Sequence, residues 1–351
     1  MAITLHDKYA KQIGKAFSEK SFIAGRLSNK YDFTGVKTVK VMVPLTVPMT
    51  NYNRSAASNR YGTPTEMGDT VQEMQLTQDK SFSLTIDRGN KEDQSNLKIA
   101  ASMLRLQVEQ QAVPTMDKYI FEALSQKAGN SIASTKPAKT TIADLISTGV
   151  QTLDDNEIAQ EKRILFLNAE NYKFLKHSPE FLGIDTLGKA ALEKGEVGYY
   201  DNMSVIKVPA TRWPSGLCFL IVQGDSATAP VKLDETKLHT DPPGISGNLL
   251  EGRQYYDCFV FGHRSNGVYA FFDSAVATKT TTPTIAASGG VFSGVTGGTY
   301  HYTTDGSDPR YSMTVKMGSG SDVTTAGTVV KCYATKTGQI PSTVATQTLT
   351  A

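Results

Sequence analysis

Thr38-Val39-Lys40-Val41-Met42-Val43-Pro44-Leu45-Thr46-Val47 decides how the chain is read. Val39, Val41, Val43, Leu45 and Val47 alternate with Thr38, Lys40, Met42, Pro44 and Thr46. A period of two built on β-branched residues predicts a half-buried strand. Pro44 and Pro48 cannot donate to a ladder, so one side of that strand is expected to be open. A second alternation, Phe82, Leu84 and Ile86 against Ser81, Ser83 and Thr85, follows about thirty residues on. Between the two, Pro48 to Gln72 is polar and rich in Asn, Arg, Ser and Gly. Hairpin loops usually hold ~2–5 residues, and structureless loops beyond ~12–15 are uncommon unless functional. The pattern predicts a long two-stranded extension with a large polar tip. An isolated ribbon is marginal in water, so it is expected to lie against another molecule.

On the N-terminal side, Ile13, Phe17, Phe22, Ile23 and Leu27 are scattered through a polar arm that needs something to pack on. On the C-terminal side, Asp93 to Gly129 reads as helix, with Leu97, Ala101, Leu104 and Val108 at helical spacing. Pro114 is predicted to kink or break it, after which Ile120, Phe121 and Leu124 resume the pattern. From Thr141 helix and strand alternate. Ile142, Leu145, Ile146 and Val150 mark a helix, Ile164 to Leu167 a buried strand, and Ala169 to His177 a helix. Val205 to Val208 and Phe219 to Val222 read as further strands. Phe259 to Gly262 and Val268 to Phe272 are predicted to pair as a hairpin through His263 to Gly267, which contains Asn266-Gly267. The expected fold class is α+β. Near Ala275 the composition shifts. Val276 to Pro283 reads as a linker, and beyond it Gly, Ser and Thr dominate and Glu is absent. Short strands at Thr299 to Thr303 and Val329 to Ala334 predict a small all-β sandwich of about 70 residues.

The whole chain has 351 residues, with 36 Lys+Arg against 34 Asp+Glu. A net charge of +2 and a pI near 8.2 argue against a protein whose main task is gripping nucleic acid. No run approaches the ~18 apolar residues of a membrane span, and mean hydropathy is -0.27. Met1 to Lys8 lacks the apolar core of a signal peptide, so a soluble, cytoplasmically made chain with no membrane partner is expected. Cys218, Cys258 and Cys332 sit in short apolar runs and read as small buried hydrophobes.

Catalytic patterns are missing from the sequence. Gly318-Ser319-Gly320-Ser321-Asp322 lies between strands and opens no helix, so it is no phosphate loop. His6, His177, His239, His263 and His301 are isolated, and there is no Gly-x-Ser-x-Gly elbow. Asp305-Gly306-Ser307-Asp308-Pro309 lacks the ligand count of a calcium loop and reads as a turn, as does Asp241-Pro242-Pro243-Gly244. No catalytic residue, cofactor or metal is expected, and the chain is read as not an enzyme. The loop carries both signs of charge, in Arg54, Arg60, Glu66, Asp69 and Glu73. Such a loop is either a solvated surface or a contact surface offering guanidinium forks and carboxylates to neighbouring copies.

Three stretches carry a family likeness. They are Pro114-Thr115-Met116-Asp117-Lys118-Tyr119; Gly195 to Met203 leading into Val205-Ile206-Lys207-Val208-Pro209; and Asp241 to Gly247 followed by Glu251 to Val260. In this order they resemble the tailed-phage major capsid proteins of the Hong Kong ninety-seven type, over about residues 1–275. The resemblance implies an N-terminal arm (1–36), an extended two-stranded loop (37–88), and a spine helix with peripheral domain (89–140). An axial domain (141–223) and a return to the peripheral domain (224–275) would follow. It implies pentamers and hexamers of this chain in an icosahedral shell around double-stranded DNA, a virion component assembled in the host cytoplasm. A portal is implied too. The arm is too short to hold a cleaved scaffolding region, so a separate scaffolding protein is expected. Lys11, Lys15, Lys20, Arg26 and Lys30 are candidates for weak nonspecific DNA contact, with solvated surface as the alternative. Relatives that cross-link join a loop lysine to an asparagine. Nothing singles out such a pair for Lys80 or Lys91, and none is expected.

Residues 276–351 resemble a second family through Thr282-Pro283-Thr284-Ile285, Tyr300 to Arg310 and Val330-Lys331-Cys332-Tyr333-Ala334. It is the small immunoglobulin-like domain appended to chitobiases. On a shell this implies an outward decoration with surface glycans as a possible ligand. Of Phe292, Tyr300, Tyr302, Tyr311 and Tyr333, at least half are expected to pack its core. Two other readings stay open. One is a carbohydrate-binding or carbohydrate-active protein, which would need a carboxylate pair, with Asp154, Asp155 and Glu157 nearest. The other is the shell of a cellular encapsulating compartment.

Overall fold

The computed structural model describes residues 21–23, 25–31, 33, 38–44, 47, 49–64, 66, 69–93, 100–177, 196–312, 314–336 and 339–350. The chain opens with strands β1 (Thr38–Pro44), β2 (Asp69–Gln75) and β3 (Gln78–Asp87). Helices α1 (Arg88–Asp93), α2 (Ala100–Gln107) and α3 (Val113–Gln126) follow. Next come β4 (Asn130–Ser134), α4 (Ile142–Asp155), β5 (Arg163–Asn168) and α5 (Ala169–Lys176). The middle strands are β6 (Glu196–Tyr200), β7 (Met203–Val208), β8 (Leu217–Gln223), β9 (Ala227–Thr228) and β10 (Val231–Thr240). They lead to β11 (Gly247–Tyr256), β12 (Phe259–Val260) and β13 (Val268–Asp273). The last strands are β14 (Thr284–Ile285), β15 (Phe292–Ser293), β16 (Thr299–Thr303), β17 (Lys316–Met317), β18 (Val329–Thr335) and β19 (Ala345–Thr348).

These elements fall into two compact units. The first draws on Met1–Lys37, Gln75–Val260 and Arg264–Ala277, the second on Thr38–Met74, Phe261–His263 and Thr278–Ala351.

The first unit is organised on a six-stranded sheet of order β4-β13-β8-β5-β7-β6. Strand β8, Leu-Cys-Phe-Leu-Ile-Val-Gln, is buried along its whole length, which is how a strand covered on both faces reads. On one face α4 lays down Ile142, Ile146, Val150 and Leu153. Gly149 lets that helix close in: a Cβ there would meet the Ile221 and Tyr269 side chains at 3.0 Å. Phe219 stacks on Phe271 with ring centroids 5.0 Å apart beneath it. In the same unit, Phe121 of α3 meets Phe166 of β5 edge-on at 5.2 Å.

A second sheet of this unit, β10-β11-β3, sets Leu84 opposite Leu250. Met103 and Leu104 of α2 pack on Ile86 and Leu250. The expected pairing of the two sequence runs is therefore corrected. The Ser81–Ile86 run pairs with β11, with Ile86 alone buried beneath α2 and Leu84 exposed, and β1 pairs instead with β2. The expected interruption at Pro114 takes the form of a π-helical turn just before it. Residues 94–99 of the expected helix lie outside the described residues, and Pro114 does not end the rest. A π-helical turn, Val108–Ala112, in which Val113 N donates to Val108 O, leads into α3 with Pro114 in its first turn.

The expected 259–272 hairpin is absent as well. Gly262–Gly267 forms a 3₁₀ turn, β12 pairs with β9, and β13 inserts between β4 and β8. Asn266-Gly267 cannot act as the tight hairpin turn because neither residue has positive φ. Gly129 N instead donates to Ser265 O at 3.1 Å, tying the 3₁₀ turn to the end of α3.

Two carboxylates hold distant segments of this unit. Asp117 of α3 is fully buried. It accepts from Ser21 Oγ at 2.5 Å, from Phe22 N at 3.2 Å and from Arg212 Nη1 at 3.0 Å. The Arg212 guanidinium also lies over the Phe22 ring at 5.3 Å. Burial pushes the Asp117 carboxyl upward, and the Ser21, Phe22 and Arg212 donors oppose that push. Asp257 accepts from Thr77 N at 2.8 Å and from Tyr119 Oη at 2.8 Å. The described part of the arm thus finds its packing: Phe22, Ile23, Leu27 and Phe33 are buried, while Ile13 and Phe17 lie outside the described residues.

The second unit contains the β1-β2 pair, a four-stranded sheet of order β17-β16-β18-β19 and the β14-β15 pair. Ile285, Phe292, Tyr302, Val323, Val330, Cys332 and Leu349 form its core. Gly262 stands where a side chain would not fit: its N donates to Gln72 Oε1 at 2.8 Å, and a Cβ would lie 2.8 Å from Tyr311 Cβ. Asp305 accepts from Ser307 Oγ at 2.5 Å and Thr314 Oγ1 at 2.6 Å, and Asp322 from Tyr302 Oη at 2.6 Å.

Two outcomes follow for stability. Asp117→Ala removes the buried carboxylate that Ser21, Phe22 and Arg212 all donate to and is expected to cost about 3–5 kcal/mol in urea unfolding. Asp117→Leu with Arg212→Met is expected to recover most of that loss; a single variant within ~1 kcal/mol of wild type contradicts the clamp. The second outcome concerns pH. Burial acts to raise Asp305, but the Ser307 and Thr314 donors outweigh it, and the Tyr302 hydroxyl lowers Asp322. A folded-state value below the unfolded one stabilises above the ordinary carboxylate range, near ~4, and that gain is lost as pH falls through the folded value. The urea midpoint of the second unit is expected to fall between pH ~5 and ~2, and less steeply in Asp305→Asn.

Candidate functional site

The loop between β1 and β2 closes on itself at its tip. Asn53 N donates to Arg60 O at 2.9 Å and Gly62 N to Asn59 O at 2.9 Å. Thr50 Oγ1 donates to Tyr61 O at 3.1 Å and Ser55 N to Asn53 Oδ1 at 3.0 Å. Asn59 and Gly62 take positive φ, 51° and 89°, the left-handed turns this reversal needs. A Cβ on Gly62 would lie 2.8 Å from Thr50 Oγ1, so glycine is also required for the close approach. Tyr52 and Tyr61 meet edge-on with centroids 4.9 Å apart.

This order is bought without burial. Met49 is 100% exposed, Tyr61 86% and Met42 67%, with Val47 and Tyr52 near half. Burying a large apolar side chain is worth about 1.5–3 kcal/mol, so this tip holds in water apolar area that covering would stabilise. Arg54 and Arg60 lie at this tip and Glu66, Asp69 and Glu73 toward the β2 side; all five are exposed. Arg60 Nε donates to Ala56 O at 2.8 Å and so shapes the loop. Among the described residues no ion pair joins the five. The apolar members Met49, Tyr52 and Tyr61 escaped the sequence reading, although aromatic and methionine residues inside a polar loop were the available signal.

Of the arm cations, Lys11, Lys15 and Lys20 lie outside the described residues. Arg26 donates to Phe22 O at 3.0 Å. Lys30 reaches Asp225 at 3.7 Å, and Lys162, which sequence reasoning did not pick out, reaches it at 3.5 Å. Asp154 pairs with the buried Arg163 at 2.7 Å, while Asp155 and Glu157 are exposed. Cys218, Cys258 and Cys332 are buried, and burial pushes each thiol up to about 12, far from thiolate chemistry at neutral pH. Among the described residues no group of three His, Cys, Asp or Glu could hold a metal ion. In the terminal module Phe292 and Tyr302 are core, Tyr300 packs against it, and Tyr311 is buried. Tyr333 is half-buried and stacks on His301 at 4.8 Å.

No protein-family model and no curated protein sequence matches the chain. Solved structures do. A chain from Mycobacterium phage Che8 is 17% identical with a TM-score of 0.56, covering 77% of this chain and 95% of that one. The mature capsid of bacteriophage PhiM1 gives 12% identity and a TM-score of 0.58, over 77% of this chain and 92% of the other. The capsid of cyanophage P-SCSP1u gives 12% identity and 0.57, over 76% and 92%. The chain has the fold of these phage proteins.

Proposed function

We propose that this chain is the major capsid protein of a tailed bacteriophage, the structural subunit of an icosahedral shell enclosing double-stranded DNA. The observation that carries the reading is the shared fold, which spans 92–95% of the three capsid or phage chains compared. The loop supports it independently: Met49, Tyr52 and Tyr61 sit on a self-closed tip and stay in water. In a shell of pentamers and hexamers a neighbouring copy covers that tip. Arg54, Arg60, Glu66, Asp69 and Glu73 then act as its polar rim, giving register more than affinity. The chain's place is the virion, reached by assembly in the host cytoplasm with a separate scaffolding protein and a portal.

About a quarter of this chain is unmatched by the neighbours, close to the size of residues 276–351. That supports reading this segment as an added immunoglobulin-like decoration facing outward. If it contacts surface glycans, the stacked His301 and Tyr333 are the surface for it, since the other aromatics are taken up by packing. A carbohydrate-active body is not favoured, because Asp154 is engaged by Arg163.

Electron microscopy of the purified full chain with its scaffolding partner is expected to show closed shells of uniform size. Met49→Asp with Tyr61→Asp is expected to abolish shells while the unfolding midpoint stays within ~0.5 kcal/mol of wild type. A monodisperse small species under every condition contradicts the proposal.

A further inference from the structure

Within the first unit, residues 25–30, Lys162, Gly224 and Asp225 line an open groove of about 330 Å³. Backbone contacts build it. Ser28 N donates to Ala227 O at 3.0 Å and Gly224 N to Lys162 O at 3.0 Å. A Cβ on Gly224 would lie 2.8 Å from Arg26 O, so glycine lets the arm lie flush against the turn that carries Asp225. Asp225 is itself held by its N–H donating to Gln223 Oε1 at 2.9 Å.

The charges do not balance. Arg26, Lys30 and Lys162 line the groove with one carboxylate among them, Asp225. Lys30 and Lys162 approach opposite oxygens of that carboxylate, at 3.7 and 3.5 Å, and both ammonium side chains are more than half exposed. Ion pairs this long and this wet contribute little, so both lysines can turn to another anion at small cost. Two ammonium groups converging on one internal carboxylate mark where an external anion would sit.

We infer that this groove binds phosphate groups, with Lys30 and Lys162 as the ligating cations and Asp225 as the internal competitor. The inference rests on the shell reading only for naming the source, the backbone phosphates of the enclosed duplex. Binding there is sequence-independent and salt-dependent, because it acts through counterion release. Asp225 gives the inference a sign that a merely structural role would not: removing its charge strengthens binding.

The test is fluorescence anisotropy of a short DNA duplex with the unassembled full chain across a salt series. Lys30→Gln with Lys162→Gln is expected to weaken binding about tenfold at low salt and to flatten the log–log salt slope by about 1–2. Lys232→Gln with Lys237→Gln, on β10, removes equal charge and is the control. Asp225→Asn is expected to tighten binding about two- to fivefold. Thermal midpoints of all variants guard against misfolding. Inorganic phosphate replacing chloride at matched ionic strength separates the sources: displacement of the duplex assigns the groove to free phosphate, insensitivity to the polymer backbone. A Lys30/Lys162 variant indistinguishable from the control, or an Asp225→Asn protein that binds more weakly, overturns the inference. Both results are read on unassembled chain, so a failure to form shells contradicts the function and leaves the groove's result standing.

Discussion

The structure of the first unit depends on a buried charge, Asp117. It draws a backbone N–H and a hydroxyl from the arm and a guanidinium from the turn before β8 onto one helix. Taking a carboxylate and a guanidinium out of water costs several kcal/mol per ion, which only close geometry and additional donors offset. The network meets that condition. Its consequence is specificity of arrangement: arm, helix and turn have one relative position in which all partners are satisfied. Phe22 under the Arg212 guanidinium and the Phe121 ring on the sheet surround that position with apolar area. Asp257 repeats the device with Thr77 and Tyr119, fixing the start of β3 against α3.

The loop shows the opposite energetics. Its tip is closed by hydrogen bonds that water could equally make, so each contributes about 1 kcal/mol or less. The apolar area it holds ready is uncovered. Such an element has its conformation set before association, so less entropy is lost when it docks. The terminal module, which shares the second unit with the loop, departs from that logic. It has a core of its own, built on Phe292, Tyr302, Val330 and Cys332.

Much of this was legible in the residues. The apolar runs of β5 and β8 and the helical spacing of Ile142, Ile146 and Val150 announced two strands of the central sheet and its covering helix. The strands Thr299–Thr303 and Val329–Thr335 likewise fell where alternation put them. What failed was partner choice. Alternation at Phe82, Leu84 and Ile86 marks a strand and says nothing about which strand pairs with it; β11, more than 160 residues away, does. Asn266-Gly267 carried a hairpin signal that tertiary contacts overrode, since Gly129 and Ser265 hold that segment as a 3₁₀ turn. Pro114 signalled a kink or break, but propensity does not foresee that the interruption is a π turn leading into it. The candidate site was half legible. Its charges stood out by type, whereas Met49, Tyr52 and Tyr61 become informative only once their exposure is known. Lys162 could not be joined to Lys30 by spacing, because the fold alone brings them to Asp225.

The central claim is that the loop tip stands in water in the free subunit and is covered by another copy on assembly. Hydrogen–deuterium exchange of residues 49–62, compared between dispersed subunits and closed particles, tests it most directly. The account predicts fast exchange of the tip amides in the free chain and protection of at least about tenfold in particles. The amides around Asp117 are expected to stay slow in both states. Equal exchange at the tip in free and assembled protein would contradict the account.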